Sequence, residues 1–260
     1  MRKYMILAMV ALASLVMASL AQADQTVTGS IKPAKLDKKT KKPVTLEIDI
    51  RTEDVGGNLD QPPDADRTVV DFPKNLSFDT KAVPNCNGTE ADLQNTSTEA
   101  AIDICGKKSV VSIGGPVVVD NATRTVTSPT GAFVTVDNDP ANPGSAQTLV
   151  PVQLTAMNGT DKNVLYLHSR PSTLPVTNVL VGKLVKGKAP YGKSLDVTIP
   201  QLLAGGISDF KTTVKAGKYV TAVCKSKKMP YAATTNYSDA PTTTATFDGT
   251  CKQKKSKKKK

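Results

Sequence analysis

The chain has 260 residues, a net charge of +11, aromatics at only 4% and no Trp. That length suffices for one large β-sandwich or two small ones. Nine of the eleven charges come from Arg2, Lys3 and seven lysines within residues 252–260, so residues 24–251 are close to neutral and a whole-domain basic footprint for nucleic acid is excluded.

Arg2 and Lys3 precede an uncharged apolar run over 4–20, and Ala21-Gln22-Ala23 places small residues where a signal peptidase reads. This is the pattern of a secretory signal peptide over 1–23, cleaved after Ala23. The run is short for an uncleaved anchor. No Cys stands at the cleavage site, no second apolar span follows and no Leu-Pro-x-Thr-Gly signal occurs. The expectation is an exported protein, extracellular or associated with the cell wall, with no transmembrane segment in the mature chain.

Residues 24–43 carry six lysines and little apolar content, which predicts a flexible lysine-rich arm. At 44–51 the chain alternates Val44, Leu46, Ile48 and Ile50 against Thr45, Glu47, Asp49 and Arg51, the period of a half-buried strand. A polar loop over 56–66 leads to strands at 68–72 and 76–78. One helical turn is expected at 90–93 and another over 97–104. A Val-rich strand is expected over 109–120, bent at Gly114-Gly115-Pro116. Further strands are predicted at 124–127, 132–137, 149–157, 163–169, 178–186, 194–199, 210–214, 218–224, 232–237 and 242–247, with a helical turn over 202–207. Strands this regularly spaced, separated by Gly, Pro, Asn and Asp, predict an all-β antiparallel sandwich of Greek-key or jelly-roll character over 44–251.

Four cysteines in an exported chain favour two disulfides. Three pairings of Cys86, Cys105, Cys224 and Cys251 exist, of which the local one closes separations of 19 and 27 residues. Each such bond contributes about 3 kcal/mol by constraining the unfolded chain. A four-Cys zinc site is disfavoured because no C-x-x-C pair exists, and no cofactor is expected.

Few residues point to chemistry. His168 is the only histidine, on a strand face with Val164 and Tyr166; the adjacent Ser169 points the other way, so no triad is legible. G-x-S-x-G and H-E-x-x-H are absent, and Ser109 has no base nearby in sequence. Asp137, Asp139 and Asn142 place oxygen ligands on a loop, but the sixth and twelfth positions, Asn142 and Thr148, are not the Gly and Glu of an EF-hand. Glu47, Asp49, Asp54, Asp71 and Asp137 offer carboxylates for a glycosidase pair without singling one out. Tyr166, Tyr191 and Tyr231 are the candidate sugar platforms. Six Asn-x-Ser/Thr sequences, at Asn75, Asn87, Asn95, Asn121, Asn158 and Asn236, are expected to mark polar surface.

The tail, with Lys252, Lys254, Lys255, Lys257, Lys258, Lys259 and Lys260, is expected to be disordered over 252–260. Its clustered charge suits an anionic cell-wall polymer or a membrane surface, bound in a salt-dependent way. No aromatics interleave with the lysines, so sequence-specific nucleic-acid recognition is not expected.

Val83-Pro84-x-Cys86, Ala91-Asp92-Leu93 and Cys105-x-x-x-Ser109-x-Val111-x-x-Gly114, with Tyr219-x-x-x-x-Cys224, Phe247-Asp248-Gly249 and Cys251, resemble a pattern in uncharacterised secreted proteins of actinobacteria. The resemblance covers about 72–251 and departs at Gly106, where Pro is usual, and in a longer Cys86–Cys105 loop. It implies a secreted, disulfide-bonded β-rich bacterial protein with no known activity, often ending in lysines. The expectation is a non-enzymatic structural or binding protein of the cell envelope, stapled by Cys86–Cys105 and Cys224–Cys251. The alternatives are a secreted hydrolase with an acidic site and a calcium-stabilised adhesion module.

Overall fold

The computed structural model describes residues 23–53, 62–137, 147–173, 176–200, 206–215, 217–238 and 240–254. Eleven strands form one sheet: β1 (Asp24–Lys32), β2 (Thr45–Glu53), β3 (Ala65–Pro73), β4 (Gly131–Asp137), β5 (Gln147–Asn158), β6 (Val164–Pro171), β7 (Asn178–Lys186), β8 (Tyr191–Thr198), β9 (Ile207–Val214), β10 (Lys228–Tyr237) and β11 (Thr243–Thr250). Their order is β1-β2-β9-β4-β5-β6-β7-β8-β3-β10-β11, and every neighbouring pair is antiparallel. The all-β antiparallel sandwich expected from the sequence is realised by a continuous sheet that curls over onto itself. Its inner faces share a core of Val, Leu and Ile, from Leu46, Ile48 and Ile50 on β2 across to Leu165 and Leu167 on β6 and Leu180 and Leu184 on β7.

The curl brings the two edge strands side by side. Ten successive reversals leave β1 and β11 pointing the same way, and no ladder joins them among the described residues. Glycines make the approach. A Cβ on Gly29 would lie 2.6 Å from the Tyr231 ring, and one on Gly249 would lie 3.0 Å from both that ring and the Gly29 carbonyl oxygen. The aromatic ring thus fills the space that two missing side chains leave at the seam.

The arm expected to be flexible over 24–43 is in strands over much of its length, Asp24–Lys32 as β1 and Lys35–Leu36 and Lys42–Pro43 in short pairings. Gln25, Val27, Gly29 and Ile31 alternate inward against Thr26, Thr28 and Ser30, and β1 pairs with β2 over its whole length. Small residues in the outward positions hide a period-two pattern that is nonetheless complete. The Val-rich stretch 109–120 also differs from expectation. It opens in a 3-10 turn at Lys107–Ser109, touches the sheet through bridges at Val110 and Ser112, and pairs only in a hairpin of Val119–Asp120 with Thr125–Val126. The two glycines and Pro116 prevent a longer ladder. The helical turn expected over 202–207 lies mostly outside the described residues; Ile207 begins β9.

Both disulfides are formed with the local pairing, Cys86–Cys105 and Cys224–Cys251. The first closes a flap holding α1 (Glu90–Leu93) and α2 (Thr98–Cys105). A Thr89–Asp92 capping box starts α1, and the Ser97 hydroxyl accepts from the Ala100 N–H to start α2. Leu93, Ala101 and the disulfide press on Met157, Tyr166 and Val179, a second core on the outer face of β5–β7. The second disulfide ties the start of β10 to the end of β11. Beside it a small sheet of Lys42–Pro43, Val220–Ala222 and Leu76–Phe78 closes that end of the fold.

Candidate functional site

The closed end carries the strongest chemical asymmetry of the molecule. Residues 32–44 cross it between β1 and β2, anchored by Leu36 and Val44, both essentially buried. Residues 215–228 cross it between β9 and β10. The chain then leaves β11 through Cys251 and pairs once more, Lys252–Gln253 running parallel to Lys35–Leu36. The seam is stitched by backbone bonds: Lys252 N–H to Ala34 O at 2.8 Å, Lys254 N–H to Leu36 O at 2.8 Å and Cys224 N–H to Asp37 O at 2.9 Å. Gln253 adds its side-chain amide to Cys224 O at 2.9 Å. Residues 252–254 are therefore part of the fold and not of a disordered tail; the main-chain groups of Ala34 and Leu36 hold them. Lys255, Lys257, Lys258, Lys259 and Lys260 lie outside the described residues.

Segments 32–44, 215–228 and 251–254 together hold thirteen lysines and one carboxylate, Asp37. All thirteen lysines are exposed. Among the described residues only Lys228 meets an acid in this region, Asp248 at 3.2 Å, and both partners are well exposed, so water screens the pair and little charge is masked. Cationic side chains fixed on three crossing segments add their fields at one pole. Sequence reasoning found the two lysine clusters separately; the parallel pairing that joins arm to tail has no local signature.

The other singled-out residues have structural roles. His168 is fully buried beneath the flap; its Nε2 lies 3.2 Å from the Thr96 hydroxyl and its Nδ1 has no partner among the described residues. Burial pushes its pKa below the ordinary imidazole value. Ser169 points to the inner face beside Leu154. The Ser109 hydroxyl donates to Gly106 O at 2.7 Å, bracing the turn after Cys105. Tyr166 is buried with its hydroxyl 2.8 Å from that of Thr160, Tyr231 fills the seam, and Tyr191 is half-buried. Two of the three therefore offer no sugar platform. Two acceptor-type asparagines are not surface residues: Asn75 is buried and donates to Ser226 O at 3.0 Å, and Asn158 is fully buried, donating to Thr80 O at 3.0 Å and Asn85 Oδ1 at 2.8 Å. Their amides are consumed in bracing loops.

Among the acids, Glu47 faces Lys211 at 3.9 Å and Asp71 accepts from the Ser194 hydroxyl. Asp54 lies outside the described residues, as do Asp139, Asn142 and the side chain of Asp137, and with them the expected calcium loop. Among the described residues no three His, Cys, Asp or Glu side chains gather as metal ligands. One acidic pair was missed. Asp209 on β9 is buried, its Oδ2 accepting from Val126 N–H at 2.6 Å, while Oδ1 has no N–H or O–H donor among the described residues. The neighbouring carboxyl of Asp49 shares a hydrogen bond with it, and burial pushes Asp209 up to about 7. Arg51, which also reaches Thr123 O at 2.8 Å, opposes the rise. Two carboxyls in hydrogen-bond contact under a hairpin leave no room for a sugar between them, which glycosidases provide with a separation of roughly 5–10 Å.

No protein-family model matches the chain, and no curated protein matches it. Among the described residues no helix is long and apolar enough to cross a membrane.

Proposed function

We propose that this is an exported, non-enzymatic binding protein of the cell envelope that holds an anionic polymer at its lysine pole. The observation that carries the reading is the joining of the lysine arm to the start of the lysine tail, through the 35–36/252–253 pairing beside the Cys224–Cys251 bond. A disulfide-pinned platform presents its cations without first having to order them, which lowers the entropic cost of binding. Polyphosphate-type polymers, with one charge per repeat, suit a pole that is broad, nearly free of acids and without aromatic stacking groups. Export rests on the leader-like segment 1–23 and agrees with two formed disulfides. Five more lysines follow Lys254 in the sequence and add charge of the same sign.

The test is retention of the chain from residue 24 on isolated cell wall across a salt series, with and without residues 255–260. Retention weakened by the truncation, but still present and removed by salt, is the expected result. Loss of all retention on truncation would reduce the folded body to a passenger of its tail. Salt-insensitive retention would move the site away from the pole altogether.

A further inference from the structure

At the opposite end of the same strands the interior is not filled. The inner faces of β1, β2, β3, β6, β7, β8, β9 and β10 enclose a cavity of about 70 Å³, several times the roughly 10–15 Å³ that one water needs on this measure. Ile50, Val70, Leu167, Leu180 and Val197 form its apolar floor. Leu195, Ile199, Ile207 and Phe210 also line it and are only half-buried although they face inward. Inward-facing apolar side chains that remain half-exposed mean that the cavity reaches the surface.

Its polar side chains are Gln25, Thr52, Thr68 and Thr235, three of them hydrogen-bonded together. Gln25 donates from Nε2 to the Thr235 hydroxyl at 2.7 Å, and Thr235 meets the Thr68 hydroxyl at 3.0 Å. This fixes the Gln25 amide with its Oε1 buried and without a partner among the described residues; Gln25 itself is 9% exposed. A guest that covers this carbonyl without donating to it leaves it unbonded, at a cost in affinity, whereas the apolar walls favour burial of an apolar body. An acceptor held in place on an apolar wall selects a guest carrying one donor.

We infer that this cavity is a binding site for a compact apolar molecule bearing a single hydrogen-bond donor, a phenol or a small alcohol, whose hydroxyl donates to Gln25 Oε1. Because Gln25, Thr52, Ala65 and Thr235 lie at the far ends of the strands from Lys32, Thr45 and Lys228, such a ligand and a polyanion bind without competing.

The probes are p-cresol and its donor-less counterpart toluene, titrated calorimetrically into the chain from residue 24. The expected result is saturable binding of p-cresol at least threefold tighter than toluene, the margin of one net hydrogen bond. Gln25→Leu should abolish that margin while leaving toluene bound. Ile199→Trp, a substitution at the half-buried mouth, should weaken both. Transfers of magnetisation from p-cresol ring protons to the methyls of Val70, Leu167 and Leu180 locate the guest without any substitution. Absence of saturable binding by either probe, equal affinity for the two, or transfers to methyls elsewhere would each overturn the proposal.

Discussion

Replacing Asp209 by Asn isolates the buried acid pair. The folded-state pKa of Asp209 stands at about 7 against an ordinary 3.8, so the folded protein holds a proton that the unfolded chain has already released. The stabilising contribution of this group is complete below about pH 4 and is lost as pH rises through about 7. Each tenfold change in proton affinity is worth about 1.4 kcal/mol, which sets a ceiling of about 4 kcal/mol; screening by Arg51 and by water over the half-buried Asp49 brings the expected effect to about 2 kcal/mol. An Asn accepts from Val126 N–H as Asp209 does, donates its amide to Asp49, and carries no charge at any pH. Urea unfolding between pH 4 and 9 is the assay. Asp209→Asn should match the parent near pH 4 and exceed it by about 2 kcal/mol at pH 8.5. A variant curve parallel to the parent, or below it at pH 8.5, would refute the shared-proton reading.

His168 carries the opposite sign: its pKa is lowered by burial, so its contribution is present above about 6.5 and lost as pH falls below that value. His168→Gln, which keeps a partner for Thr96, should remove the acid-side loss, read as protection factors of the flap amides (exchange rates corrected for the intrinsic rate at each pH) that are no longer lower at pH 5 than at pH 7.5. Gly29→Ala would place a methyl 2.6 Å from the Tyr231 ring and should cost about 2–3 kcal/mol in urea unfolding, as overpacking of a full core does. Tyr231→Phe removes a buried hydroxyl with no partner among the described residues and should stabilise by about 1 kcal/mol in the same assay. Replacing Cys86 and Cys105 by Ala together should cost about 3 kcal/mol and first expose residues 86–105 to proteolysis, leaving the sheet intact.

Legibility from the sequence followed the range of the interactions. β2 was visible because its Leu and Ile residues alternate with charges, whereas β1 alternates Gln, Val, Gly and Ile with Thr and Ser, a pattern of weak contrast beside a lysine-rich segment. The two helical turns were legible, since each is set by neighbours a few residues away, and so were the disulfides, which join cysteines consecutive along the chain. The insertion of β9 between β2 and β4, and of β10 between β3 and β11, depends on pairings across most of the chain that no local pattern encodes. Asp209 was passed over because nothing near it in sequence reveals that the Val119–Val126 hairpin will cover it. Gln25 was passed over for the same reason, its partners Thr68 and Thr235 lying on β3 and β10. The lysines were counted correctly, but their convergence on one pole became apparent only with the pairing of Lys35–Leu36 and Lys252–Gln253.

The most direct test of that pole is the salt dependence of binding to poly(glycerol phosphate), compared between residues 24–254 and the same chain with Lys38, Lys39, Lys41 and Lys42 replaced by Gln. Each phosphate contact contributes a slope of roughly 0.7–0.9 in log K against log salt. The account predicts a steep negative slope for the parent chain and one shallower by about 3 for the variant. Equal slopes for the two, or no salt-dependent binding by residues 24–254, would contradict it.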